Sequence, residues 1–219
     1  MTLSYSALKM FETCPRQFHE VRILKKYTSS DTTATIWGKE VHENAELFIR
    51  DGRPFAIQFT GSDQVEALAK LRGDKHCEME LAVNDKLEPV AFSDPSAMLR
   101  GIADLVIING DSIRVIDYKT GSNKYPDPAQ LELMALLVFA KFPEAQRSHG
   151  ALLFLAHNDI VQKITKREDS ATLWANWFGK INRIEESHKT GVWNAKSSGL
   201  CKKYCPVKTC EHNGGYYAT

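Results

Sequence analysis

The chain reads as an α/β protein in which a central mixed β-sheet is flanked by helices. Three observations predict this. Apolar residues recur at helical spacing before residue 72 and again after residues 129 and 173. Between them, residues 77–119 switch to the period of two that marks strands, broken by Asn109-Gly110. The resulting order of helices, three strands, helix, two strands, helix is that of one sheet with helices packed on it.

Ser4 or Ser6 can cap a first helix through Ala7, Leu8, Met10 and Phe11, with Pro15 near its end. A second helix is predicted from about Ile36 to Phe48, carrying Val41, Ala45, Leu47 and Phe48 and stopped by Asp51-Gly52. Ser62 should cap a third over Asp63–Leu71, with Gly73 as its terminator. Cys77–Val83 alternates, placing Glu78 and Glu80 on one face and Cys77, Met79 and Leu81 on the other. Leu99–Ile108 and Ser112–Lys119 are rich in Ile and Val and meet at Asn109-Gly110-Asp111, a strong hairpin signal. A helix over Ala129–Phe142 follows the Pro126–Pro128 loop. A second hairpin over Ala151–Ile164 turns at His157-Asn158-Asp159. Leu173, Trp177, Ile181 and Ile184 then mark a helix to about His188, and from Gly191 the tail has no periodicity.

With 219 residues, 43% of them hydrophobic and 10% aromatic, the chain is sized for one globular domain, 1–219. Its core should occupy about 36–165, with the N-terminal helix and the Cys-rich tail as an accessory region. The formal net charge is +1, so a nucleic-acid partner would need a local basic patch; the same balance fits an enzyme acting on small molecules. No apolar run reaches the roughly 18–20 residues a membrane span requires. The longest, Leu131–Phe142, is broken by Glu132 and Lys141. The opening MTLSYSALKMFE has no leader pattern, and a cytoplasmic protein is expected.

The chemistry concentrates in Arg100-Gly-Ile-Ala-Asp104 and Ile116-Asp117-Tyr118-Lys119. Residues two apart on a strand share a face, so Asp117 and Lys119 project together beyond Ile113 and Val115. The Asn109-Gly110 turn folds the preceding strand back, bringing Asp104 toward Asp117. Two juxtaposed carboxylates repel, and a hard divalent cation between them removes that penalty. Lys119 beside such an ion could orient an attacking water or hold a phosphate. A surface ion pair is the plainer reading of Asp117 and Lys119 alone. His42 and Glu46 share one helix face four residues apart. An imidazole beside two carboxylates makes a mixed N/O site that suits Mn²⁺ at least as well as Mg²⁺.

The ordered set Gly38-x3-His42, Gly101-Ile-x-Asp104, Asp117-Tyr-Lys-Thr-Gly121 and a helix opening with Gln130 resembles the RecB-type branch of the PD-(D/E)XK nucleases, which have a restriction-endonuclease-like core. It is most similar to phage-encoded and CRISPR-adaptation members, and the resemblance covers almost the whole chain. It implies a metal-dependent deoxyribonuclease, an exonuclease on single-stranded DNA or DNA ends, with a structure-guided endonuclease or a DNA-binding accessory subunit as alternatives. It implies metal ligation by His42, Asp104, Asp117 and the carbonyl of Tyr118, with Mg²⁺ or Mn²⁺. Lys119 would be catalytic, with Gln130 near it. The family's Q-x3-Y motif is incomplete, since Met134 stands where the tyrosine would be. Glu78 or Glu80 would match an early acidic position. No G-x4-G-K-[ST] is present, so ATP-driven unwinding would require a helicase or recombination partner.

Cysteines occupy positions 14, 77, 201, 205 and 210. An odd count speaks against a disulfide framework. Cys14, Cys201, Cys205 and Cys210 offer four thiolates, enough for a [4Fe–4S] cluster or tetrahedral zinc. The absence of C-x2-C tilts the choice to the cluster, and idle thiols are the bland alternative. The resemblance points to a cluster too, since iron–sulfur members use one early and three late cysteines, although their late spacing is C-x2-C-x5-C and here it is C-x3-C-x4-C. Cys77 reads as a small core hydrophobe and His212 as a spare ligand. If the cysteines join the chain ends, the run Arg16, Arg22, Lys25, Lys26 meets Lys196, Lys202, Lys203 and Lys208 in one phosphate-binding patch. Trp174 and Trp177 are base-stacking candidates, or core.

Overall fold

A computed structural model describes residues 1–27 and 32–214. Among them, β1 (Asp74–Val83), β2 (Leu99–Asn109), β3 (Ser112–Lys119), β4 (Arg147–Phe154) and β5 (Asp159–Lys166) form one five-stranded sheet in sequence order. Neighbours are antiparallel except β3 and β4. The sheet is therefore mixed, and its one parallel step requires a crossover, which helix Ala129–Lys141 supplies. The other helices are α1 (Tyr5–Thr13), α2 (Pro15–Phe18), α3 (Thr33–Asp51), α4 (Ser62–Ala69) and α6 (Ser170–Thr190), the crossover being α5.

The chain divides into two compact units, Met1–Thr2 with Asp31–Trp174, and Leu3–Ser30 with Ala175–Thr219; the boundary falls inside α6. In the first unit the sheet is a layer between helices. Val41 and Ala45 of α3 and Val65 of α4 pack with Leu105, Ile107, Ile116, Tyr118, Ala151 and Leu153. On the other face Leu131 of α5 packs with Leu152 and Phe154. Gly150 lets α5 sit this close, because a Cβ there would lie 2.8 Å from Leu131 Cβ. α3 starts at a capping box between Thr32 and Thr35 and ends where Gly52 takes φ 66°, a left-handed cap that glycine adopts without strain.

In the second unit Ser4 caps α1, which stops at Cys14. Pro15 then opens α2 instead of only closing α1, and a π-turn over His19–Ile23 follows. Phe11, Phe18 and Trp193 cluster at 5.7–6.2 Å between ring centroids.

The observed elements correct several expectations. Ser62 lies inside α4, and Gly61 occupies its N-cap position. Gly61 is also pressed against Leu155, where a Cβ would meet the backbone at 2.7 Å. β1 and β4 begin three and four residues early, at Asp74 and Arg147. Trp174 and Trp177 are 8% and 2% exposed, so their rings serve the core and not a base. No helix among the described residues is long and apolar enough to cross a membrane.

Candidate active site

The site forms at the C-terminal end of β3. Ile113, Val115, Asp117 and Lys119 follow one another on one face, apolar first and ionic last. α5 covers that face and delivers Gln130 to both ionic groups. Lys119 Nζ donates to Gln130 Oε1 at 3.0 Å, and Gln130 Nε2 donates to Asp117 Oδ1. Lys119 Nζ also lies 2.6 Å from Asp117 Oδ2. Burial pushes the Asp117 carboxyl upward; Lys119 opposes the shift and Asp104 adds to it.

Asp104 sits where the β2–β3 ladder stops. The last pair is Leu105 with Ile116, so Asp104 stands one step beyond, at the register of Asp117. There its carboxylate replaces a ladder carbonyl: Oδ2 accepts from the Tyr118 N–H at 2.5 Å. Its other oxygen faces His42 Nδ1 at 3.5 Å.

His42 reaches Asp104 because α3 comes close to the end of β3. Gly38 is one turn earlier on α3, and a Cβ there would lie 2.8 Å from Thr120 Oγ1. Any side chain at 38 would press on the Thr120-Gly121 segment. The His42 ring stands edge-on to the buried Tyr118 ring, with centroids 5.7 Å apart. Burial alone would lower the His42 pKa, but hydrogen bonding to Asp104 and the charges of Asp104, Asp117 and Glu78 outweigh it, and the net shift is upward.

Glu78 completes the site. The β1–β2 register pairs Cys77 with Leu105 and Met79 with Ala103, which sets Glu78 across from Asp104. Its φ of 49° is unusual for a non-glycine residue in a strand. One donor atom each from His42, Glu78 and Asp104 lies within 4.8 Å of the others, the one such group of three or more among the described residues. Burial raises the Glu78 pKa, and Asp104 and Glu46 raise it further. Like charges held across a strand pair are unfavourable, and an imidazole with two carboxylates is a donor set for a hard or borderline divalent ion. The residues therefore fit such a metal. They open onto a groove of about 720 Å³ lined also by Trp37, Lys39, Thr120 and Gly121.

Of the residues expected from sequence, His42, Asp104, Asp117, Lys119 and Gln130 come together. Tyr118 joins them through its N–H, which donates to Asp104, while its ring is buried in the core. Glu46 lines the groove, engaged with Arg50. Of the two early acids it is Glu78 that reaches the group, and Glu80, paired with Ile102, does not. The signal available was its register opposite Asp104, which the β2 hairpin alone did not supply. Met134, in place of the expected tyrosine, is buried and fills the space over Gly101, where a Cβ would meet its Sδ at 2.7 Å.

In the second unit, Cys14, Cys201, Cys205 and Cys210 line one cavity of about 70 Å³. Main-chain N–H groups of Lys196 and Ser198 point at Cys14 Sγ and Cys201 Sγ, at 3.4 and 3.3 Å. No three of the cysteine sulfurs lie within 4.8 Å of one another among the described residues. Burial raises the Cys205 thiol pKa, an N–H bond from Val207 lowers it, and the other three thiols raise it. His212 does not line the cavity and lies 3.7 Å from Glu211. Cys77, half-buried beside the α3 core, has its pKa pushed up by burial to about 11 and is chemically quiet. Arg16 pairs with Glu211 at 2.5 Å, and Lys26 pairs with Glu20 at 3.3 Å. Part of the expected basic patch is thus already neutralised.

A mixed sheet whose central strands end in paired acids and a lysine, with helices on both faces, is the architecture of a nuclease core. The profile of the PD-(D/E)XK nuclease superfamily matches residues 2–210, and the chain belongs to that superfamily. Among solved structures it is similar to SSO0001, with 19% identity and a TM-score of 0.51 over 96% of this chain and 85% of that one. It is also similar to a candidate exonuclease from Eubacterium rectale, with 13% identity and a TM-score of 0.55 over 93% and 86%. At these identities the likeness is one of fold. No curated protein matches the chain.

Proposed function

We propose that the protein is a metal-dependent deoxyribonuclease acting as an exonuclease on single-stranded DNA or DNA ends. One observation carries the reading: the His42–Glu78–Asp104 donor group adjoins the Asp117–Lys119–Gln130 triangle. His42, Glu78, Asp104 and Asp117 would hold Mg²⁺ or Mn²⁺. A divalent ion held there would draw charge from the phosphodiester and ease deprotonation of the attacking water. Lys119 brings the positive charge that a phosphate oxygen or the water requires, and Asp117 with Gln130 fixes its direction. Asp104, anchored on the Tyr118 N–H, is preorganised, so little rearrangement accompanies binding. The description of the Eubacterium rectale neighbour as a candidate exonuclease is in keeping with this assignment.

A [4Fe–4S] cluster at the four cysteines is part of the same proposal. The cavity is several times the roughly 10–15 Å³ that one water needs, so it suits a group of several atoms. Main-chain N–H groups of Lys196 and Ser198 already donate to Cys14 Sγ and Cys201 Sγ, as they would to cluster-bound sulfurs. Any helicase or recombination partner belongs to the proposal as well.

The test is a cleavage assay with Mn²⁺ and with Mg²⁺ on end-labelled single strands, duplexes and closed circles. Degradation from ends with circles intact is expected. Cutting of circles would replace the exonuclease with an endonuclease, and binding of all three without cleavage would leave an accessory DNA-binding protein.

A further inference from the structure

The loop between β3 and α5 leaves from Lys119 and returns at Gln130, so both of its ends are fixed in the candidate active site. Its first residues, Thr120 and Gly121, line the groove with His42, Glu78 and Asp104. It is tied down along its length. Asn123 Nδ2 donates to Asp159 Oδ2 at 2.9 Å, the Lys124 N–H meets Ser122 Oγ at 3.2 Å, and Asp127 Oδ1 accepts from the Ala129 N–H at 3.2 Å.

At the middle of this braced loop stands Tyr125, 82% exposed. Pro126 and Pro128 follow it. Proline fixes its own φ and confines the residue before it to extended conformations, so the ring is carried on a stiff arm. The Lys124 ammonium lies 5.4 Å from the ring centroid. An aromatic face open to water, backed by a cation and held on a rigid support, is what an unpaired base stacks on while its phosphate is neutralised. Tyr125 is five residues from Thr120 and five from Gln130. Its Cα is therefore at most roughly 18 Å from either, a span of about five nucleotides at the stacked spacing of roughly 3.4 Å.

We infer that Tyr125, with Lys124, is a stacking platform for an unpaired base of the DNA strand entering the site. The inference rests on the nuclease reading and sharpens it, since a base inside a duplex offers no free face to the ring. Preordering matters because a loop already rigid loses little freedom on binding.

The test uses the full chain in four forms: wild type, Tyr125→Ala, Tyr125→Phe and Tyr125→Trp. With a single-stranded oligonucleotide, Tyr125→Ala should raise KM by about tenfold, inside the roughly 5- to 150-fold range that one stacked base represents. kcat should change less than twofold, and the Phe and Trp forms should behave as wild type. All four should melt together, because the ring packs on no core. Independently of cleavage, the added indole of Tyr125→Trp should be quenched by unlabelled oligo(dT) and not by blunt duplex. Quenching equal for both, or none, overturns the platform whatever the cleavage result; so does an unchanged KM in Tyr125→Ala. Quenching by single strands from a protein that cleaves nothing supports the platform and contradicts the nuclease reading alone.

Discussion

Gly38 and Thr120 are in such close approach that a single methyl group at position 38 would sit 2.8 Å from Thr120 Oγ1. This contact sets how near α3 comes to the end of β3, and hence where His42 stands relative to Asp104. Gly38→Ala should improve helix propensity by about 1 kcal/mol while pushing α3 outward. The expected result is a several-fold rise in the metal concentration for half-maximal cleavage, with little change in melting temperature. Removing the hydroxyl leaves only Thr120 Cβ, 3.8 Å away, so Gly38→Ala with Thr120→Ala should recover most of the lost affinity. Titration of Mn²⁺ against cleavage rate in wild type and the two variants measures it. Equal metal dependence in all three would show that the glycine has no part in placing His42.

His42 governs how the site responds to pH. Burial works against its charge, but Asp104, Asp117 and Glu78 more than compensate, and it titrates above its ordinary 6.5. The metal-free fold therefore keeps the stability contributed by protonated His42 below pH 6.5 and loses it as pH rises through the raised value. A metal needs the neutral imidazole, so metal binding should strengthen over that same rise and release a proton. Isothermal titration with Mn²⁺ at several pH values in two buffers of different ionisation enthalpy reads both effects. His42→Ala should flatten the profile and weaken Mn²⁺ more than Mg²⁺, since imidazole matters more to the softer ion. An unaltered profile in His42→Ala would assign the proton to another group.

The four-cysteine cavity yields a colour test. Protein prepared anaerobically should be brown, and changing any one of Cys14, Cys201, Cys205 or Cys210 to Ser should bleach it and lower the melting temperature. Joining Cys14 to Cys210, 196 positions away, would remove roughly 5 kcal/mol of unfolded-state freedom in the chain-entropy description of disulfides. Cys77→Ser should leave the colour intact, because Cys77 packs beside α3. Visible absorption and metal analysis decide it. Colourless protein with stoichiometric zinc would replace the cluster, and metal-free protein of unchanged stability would leave the thiols without a cofactor.

Much of the nuclease core was legible because its signals are local. The period-two runs and the Asn109-Gly110 turn set β2 and β3, and the spacing of Asp117 and Lys119 put both on one face. What escaped depends on partners distant in sequence. The early residues of β4, Arg147 to Gly150, carry little apolar pattern; they are a strand because they pair with β3 and because Gly150 leaves room for Leu131. Glu78 could not be separated from Glu80 without the β1–β2 register. Ser62 looked like a cap, but the close contact of Gly61 with Leu155 set the start of α4 one residue earlier. Pro15 read as a terminator because the short helix it opens has too few residues to show a period.

If Asp117 with His42, Glu78 and Asp104 holds a catalytic metal, cleavage must depend on both the acid and the ion. The decisive measurement is the single-turnover rate of cleavage of an end-labelled single strand in saturating Mn²⁺, for wild type and Asp117→Ala. Such an ion would contribute several kcal/mol of transition-state stabilisation, and each 1.36 kcal/mol is about tenfold in rate, so the variant should be slower by at least ~10²-fold. Excess chelator should abolish the wild-type rate. A rate in Asp117→Ala within a few-fold of wild type, or cleavage that survives chelation, would rule out a catalytic metal held by Asp117.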